Sequence, residues 1–198
     1  MVDRLKDKVA LITGGAGGMG TTIGKLYVDE GAIVVLADIK ESKPEKELVS
    51  KSNRISFQKL DVTDESQWEK LISETIDEFD HLDILINTAG ISAQTLPIQK
   101  ISLKDWQKVL NINLTGQFLG IKHAFETMKK RGGSIVNICS IGGGRVALPG
   151  PISPYEASKG GVRVLSRGAA IEVATRKYNI RVNSIYPGII KHLCLLRT

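Results

Sequence analysis

Short apolar runs rich in branched residues recur along this chain, at residues 9–13, 33–37, 55–60, 84–86, 135–138 and 181–185. Between them lie longer stretches whose apolar residues return every three or four positions, such as Met19, Ile23, Leu26 and Tyr27, or Trp68, Leu71, Ile72, Ile76 and Phe79. A run without clean polar alternation belongs to a strand covered on both faces, and a strand followed each time by a helix gives a parallel sheet. The fold class read from this pattern is α/β, a doubly wound parallel sheet. In such sheets ligands sit beyond the carboxyl ends of the strands, so the residues just after each run are the candidates for chemistry.

The first of those positions is Thr13-Gly14-Gly15-Ala16-Gly17-Gly18-Met19-Gly20. Glycines let the backbone turn tightly and approach a pyrophosphate, whose charge is met by the N–H groups that open the next helix. Placement between a strand and a helix favours a nucleotide over a plain turn. Asp38 closes the second run. Its carboxylate can accept hydrogen bonds from an adenosine ribose and repel a 2′-phosphate, which favours NAD over NADP. The structural alternative is an aspartate that caps a helix, and Lys40 stands nearby. The later runs end at Asp61-Val62, Asn87-Thr88-Ala89-Gly90, Ser140 and Pro187-Gly188. Each is an ordinary turn former, but six strand ends in succession carry small or polar residues.

Tyr155 and Lys159, within Tyr155-Glu156-Ala157-Ser158-Lys159, are spaced to share one helical face. A cation one turn away favours phenolate over phenol, which makes Tyr155 a candidate general acid/base. Thr13-Gly14, Gly18-Met19-Gly20, Asp61, Asn87-Thr88-Ala89-Gly90, Asn113, Ser140, Tyr155 to Lys159, Asn183 and Pro187-Gly188 together resemble the short-chain dehydrogenase/reductase family, from about residue 8 to 191. Within it the chain is similar to bacterial secondary-alcohol dehydrogenases, including those that act on cyclic alcohols.

The resemblance implies a Rossmann-type sheet, a nicotinamide cofactor and interconversion of a secondary alcohol and a ketone. Tyr155 would exchange the proton, Lys159 would assist it and hold the nicotinamide ribose, and Ser140 would hydrogen-bond the substrate oxygen. Asn113 would hold a water leading from Lys159 to solvent, its structural alternative being a buried amide that satisfies backbone. Gly14, Gly18, Met19, Gly20, Asp38, Asp61, Val62, Asn87, Ala89, Gly90, Pro187, Gly188 and Ile190 would line the cofactor. Relatives pair through the helices that carry Asn113 and Tyr155, so a homo-oligomer is expected.

The chain departs from the family in two places. The loop from Ser140 to Tyr155 is slightly long, and it is expected to line the substrate pocket. After Lys191 the family's threonine is replaced by His192-Leu193, and residues 192–198 lack family character. The expectation is a frameshifted tail on a catalytic domain of residues 1–191 that lacks the family's last helix and strand. That would leave 181–185 as an open sheet edge. Two alternatives to an NAD-linked alcohol oxidoreductase stay open: an inactive nucleotide-binding remnant, and an NADPH-linked 3-oxoacyl reductase, which Asp38 disfavours.

Composition narrows the partners. The net charge of +6 comes from lysines interspersed with acids, a solvated surface and not a nucleic-acid face. Cys139 and Cys194 form no disulfide or zinc pattern, consistent with a cytoplasmic setting. His81, His123 and His192 have no ligand spacing, so they read as surface residues and no metal is expected. No apolar run suits a signal peptide or a membrane span. The stripe Leu114, Phe118, Ile121, Phe125 and Met128 reads as core against the sheet.

Overall fold

A computed structural model of the chain describes residues 3–144, 146 and 150–190. The tail at 192–198, with Lys191, and four residues of the loop after Ser140 lie outside the described residues. The elements are β1 (Val9–Thr13), α1 (Gly18–Asp29), β2 (Ile33–Asp38), α2 (Lys43–Val49), β3 (Ile55–Lys59), α3 (Glu65–Phe79), β4 (Ile84–Asn87), α4 (Leu103–Leu110), α5 (Gly116–Met128), β5 (Gly133–Ile138), α6 (Ser153–Thr175) and β6 (Ile180–Ile185). They form one parallel sheet in the order β3-β2-β1-β4-β5-β6. This is the doubly wound, Rossmann-type arrangement expected. Its order reverses between β1 and β4, where Thr13 pairs with Asn87, so a crevice opens above that pair.

Local chemistry sets several of the boundaries. Asp64 caps α3 by accepting from the backbone N–H groups of Ser66 and Gln67. A reciprocal capping box between Ser42 and Glu45 opens α2, which accounts for a buried glutamate there. The helical stretch between β4 and β5 is interrupted. A π-helical turn at Asn111–Thr115 separates α4 from α5, and such turns concentrate at functional sites.

Alternate strand residues feed two cores. Ala10, Ile12, Val34, Leu36, Ile55 and Ile86 face α1 and α2. Leu11, Val35, Leu85 and Ile135 face the other way, against Trp68, Leu71, Ala124, Met128 and Val173. Cover on both faces fails at β6, where Ile180 and Val182 are buried while Arg181, Asn183 and Ile185 are exposed. Among the described residues β6 ends the sheet, and α6 covers one of its faces. Here the strand alternates as a half-covered one should.

The expected core stripe on α5 holds in part. Ile121 and Met128 are buried and Leu114 and Phe125 are partly buried, but Phe118 is 47% exposed, and Gly116, Gln117, Leu119, Gly120 and Ala124, outside the stripe, are buried too. Small residues are required on that side: a Cβ at Gly120 would lie 2.6 Å from Asn87 Oδ1 and 2.9 Å from the Trp68 ring. Among the described residues no helix is long and apolar enough to cross a membrane.

Candidate active site

The crevice begins with the glycine turn. Gly14 has φ +65, and a Cβ there would come within 2.8 Å of Ala89 N, so the β1 turn and the segment after β4 meet backbone to backbone. A Cβ on Gly20 would sit 2.2 Å from Gly14 O, which explains how the first turn of α1 can rest directly on the loop. Gly17 caps α1 with no side-chain hydrogen bond, and the first turn, which includes Gly18 and Met19, holds no acid. Its N–H groups and positive dipole end are thus suited to an anion.

Asp38 ends β2 beside this turn. Its Oδ2 accepts from Ala16 N at 3.1 Å and its Oδ1 from Ile39 N at 2.7 Å. The capping alternative is removed, because Ser42 caps α2. Asp61 accepts from the backbone and hydroxyl of Thr63. Val62 takes the Trp68 indole N–H on its carbonyl at 3.0 Å and packs its side chain on Gly116. Ala89 N donates to Thr13 Oγ1 at 3.2 Å. Asn87 differs from its neighbours: its side chain is buried within the sheet and donates to Asn137 Oδ1 at 2.9 Å.

At the other end of the crevice, α6 brings Tyr155 and Lys159 together. The Lys159 Nζ lies 5.8 Å from the centroid of the Tyr155 ring. Lys159 is only 4% exposed, and its ammonium donates to Ile138 O, at the end of β5, at 2.8 Å. Burial lowers its pKa to about 8, since a low-dielectric site disfavours the charged form. Ser140 is buried. Its Oγ accepts from Gly142 N at 3.2 Å, which leaves its own proton to donate. The loop it starts is pressed against α6, for a Cβ on Gly143 would lie 2.8 Å from Lys159 O. Ile141 N donates to Pro187 O at 3.1 Å, which draws the Pro187-Gly188 turn beside Ser140, with Ile190 exposed further along.

Asn113 stands in the π-turn, fully buried. Its Oδ1 accepts from Ile91 N at 2.8 Å, and its Nδ2 donates to Ile91 O at 2.9 Å and Ser158 Oγ at 3.1 Å. The side chain therefore does satisfy backbone, and in doing so holds Gly90 over the lysine: a Cβ on Gly90 would lie 3.6 Å from Lys159 Nζ. Contacts thus run along the strand ends from Asp38 and the glycine turn to Ala89, and from Gly90 to Lys159 and Tyr155, with Asp61 and Val62 following the neighbouring strand β3.

Three contributors escape the sequence reading. Ser158 donates to Tyr155 O at 2.7 Å and links it to Asn113. The Cys139 thiol, its pKa raised by burial, lies 3.0 Å from Lys159 O. Gln117, one turn beyond Asn113, donates to Ile138 O at 3.2 Å. A polar residue four places after Asn113 is the signal that could have exposed Gln117. The surface reading of His81 and His123 is also corrected, as both are partly buried; His192 lies outside the described residues. His123 clusters with Glu65 and Glu69, their ligand atoms within 4.8 Å of one another, but Lys122 already pairs with Glu65 and holds its carboxyl below the usual range.

A parallel sheet with a glycine turn at its switch point, and a buried lysine beside a tyrosine near the strand ends, is the arrangement expected of a nucleotide-dependent oxidoreductase. The chain matches the short chain dehydrogenase family over residues 8–194 and belongs to it, a family of NAD(P)-dependent oxidoreductases. It is 39% identical over 197 residues to the NADP-dependent (R)-specific alcohol dehydrogenase of Lentilactobacillus kefiri, covering 96% of this chain and 76% of that protein. It is 41% identical over 191 residues to the cyclopentanol dehydrogenase of Comamonas sp. (strain NCIMB 9872), covering 94% and 74%. Among solved structures, levodione reductase superposes with a TM-score of 0.90 at 34% identity, covering 97% of this chain and 75% of that one.

Proposed function

We propose that this chain, acting through residues 1–191 as one unit, interconverts a secondary alcohol and a ketone with NAD as hydride carrier. The observation that carries the reading is the Lys159 ammonium, buried against Ile138 O and set 5.8 Å from the Tyr155 ring. A charge is rarely buried without a task. The turn fits a dinucleotide because α1 opens with no side-chain cap and no acid in its first turn, so its N–H groups can meet a pyrophosphate. Gly14 to Gly20 would hold its pyrophosphate, Asp38 its adenosine ribose, Asp61 and Val62 its adenine end, and Ala89, Gly90, Pro187, Gly188 and Ile190 its nicotinamide end. Asn87 contributes there through its backbone.

When bound, the nicotinamide supplies or accepts the hydride. Everything else falls to this chain. Tyr155 gives a proton to the ketone oxygen, or takes it from the alcohol. Ser140 donates a hydrogen bond to the same oxygen and stabilises charge that develops on it. Lys159 stabilises the phenolate and meets the ribose hydroxyls. Asn113 acts through placement, since it anchors both Ile91 and Ser158 around the lysine.

NAD is preferred over NADP because the Asp38 carboxylate is fixed at the lip of the glycine turn, where a 2′-phosphate would meet like charge. The relative from Lentilactobacillus kefiri is named NADP-dependent, so the preference for NAD rests on Asp38 alone. A homo-oligomer through α5 and α6 is supported by the apolar groups these helices turn outward, Phe118 with Val164 at 65% and Ile171 at 64% exposure. The test follows nicotinamide absorbance with cyclic and open-chain secondary alcohols, supplying NAD⁺ and NADP⁺ in turn. Turnover with NAD⁺ is expected. Tight NADH binding without turnover on any alcohol would instead favour a nucleotide-binding remnant, and a preference for NADPH with 3-oxoacyl substrates would favour the reductase.

A further inference from the structure

Gln117 is 2% exposed, within the sheet-facing side of α5. The other buried residues of this helix are Gly116, Leu119, Gly120, Ile121, Ala124 and Met128, all small or apolar, so a buried amide is the exception. Burying an amide costs free energy that a leucine of similar size would not, and here the cost is only partly offset. The Nε2 donates to Ile138 O, while Oε1 is buried with no hydrogen-bond partner among the described residues. The oxygen that Gln117 reaches is the one on which the Lys159 ammonium rests. Asn113, one turn earlier on the same side, does the equivalent for the segment after β4 by holding Ile91. Two amides, four residues apart, thus fix the two strand ends that flank the lysine.

We infer that Gln117 is a positioning residue for the proton-handling pair: by donating to the Ile138 carbonyl it fixes the acceptor of the Lys159 ammonium, and so sets where the positive charge stands beneath Tyr155. The inference rests on the function proposed above but is read out separately. The other groups near this lysine are the Cys139 thiol, just past the end of β5, with Arg163 behind it, and Tyr155 on its own helix; Gly90, Asn113 and Gln117 carry no charge.

The experiment uses the full chain with Gln117→Leu and Gln117→Glu. Two quantities are measured: kcat and KM for alcohol oxidation across pH, and titration of the Lys159 amine by NMR of the labelled side chain. Gln117→Leu keeps the volume and loses the donor, so kcat is expected to fall about tenfold through misplacement, with the alcohol KM almost unchanged. Gln117→Glu sets a carboxylate against the carbonyl and near the ammonium, so the amine midpoint is expected to rise above about 8. A midpoint unmoved by Gln117→Glu in folded protein overturns the inference. So does a Gln117→Leu loss of turnover that merely tracks loss of folded protein, with an unaltered pH profile. Absence of turnover in the unsubstituted chain would defeat the proposed function, while the amine titration would still decide the role of Gln117.

Discussion

On the α1–α2 side the sheet buries Ala10, Ile12, Val34, Leu36, Ile84 and Ile86 against other apolar groups. On the α3–α6 side the same sheet also buries Asn87, Asn137 and, from the helices, Asn113, Gln117, Ser158, Lys159 and Ser166. These are linked: Asn87 donates to Asn137 at 2.9 Å, Asn137 to Ser166 at 2.9 Å, and Ser166 to Val162 O at 2.7 Å. Buried polar groups cost free energy unless paired, so a fold needing only stability would make both sides alike. The difference teaches that one side holds the sheet together, while the other gives up part of that stabilisation to aim a lysine, a tyrosine and a serine at the strand ends.

The sharpest way to separate the two sides is Lys159→Met. Turnover is expected to fall on the order of 10²–10⁴-fold, while resistance to urea holds or rises because a buried ammonium has been removed. Parallel losses of both would erase the contrast. Ile84→Ala on the apolar side should do the reverse, costing about 2–5 kcal/mol of stability and leaving turnover per folded molecule intact. Asn137→Leu tests the polar seam. It leaves the Asn87 amide without its acceptor at a cost of about 1–3 kcal/mol, and urea unfolding checks this.

The most gradual effect is a linkage. Lys159 titrates at about 8 in the folded chain against an ordinary 10.5. Between those values the unfolded chain holds one more proton at this site. Its contribution to stability therefore rises with pH through that window, by about 1.4 kcal/mol per pH unit at most. Comparing stability from pH 8 to 10.5 with that of Lys159→Met isolates the term, and equal slopes would show that the ammonium is not destabilised by burial.

The strand ends were legible in the sequence because their chemistry is local. A glycine that must turn at positive φ, as Gly14 does, or an aspartate at the end of β2 is written in one residue. The pairing of Tyr155 with Lys159 was legible for the same reason, since helical spacing alone sets it. What spacing gave only in part is the packing of α5. The reading set the whole apolar stripe against the sheet, and Ile121 and Met128 are buried there, yet Phe118 turns outward while Leu119, Gly120 and the Gln117 amide, outside the stripe, are buried. The π-turn that carries Asn113 depends on contacts to Ile91 and Ser158, distant in the chain. Asn87 looked like its neighbours at the strand end, and only the register with Asn137 reveals that its side chain points into the sheet.

The central claim is that Tyr155 moves the proton at a site where this chain holds a nicotinamide cofactor. The most direct measurement is Tyr155→Phe, followed by secondary-alcohol oxidation with NAD⁺ and by NADH fluorescence titration on the same preparation. The account expects turnover to fall at least about a hundredfold with NADH affinity retained. Turnover kept at the level of the unsubstituted chain would contradict it.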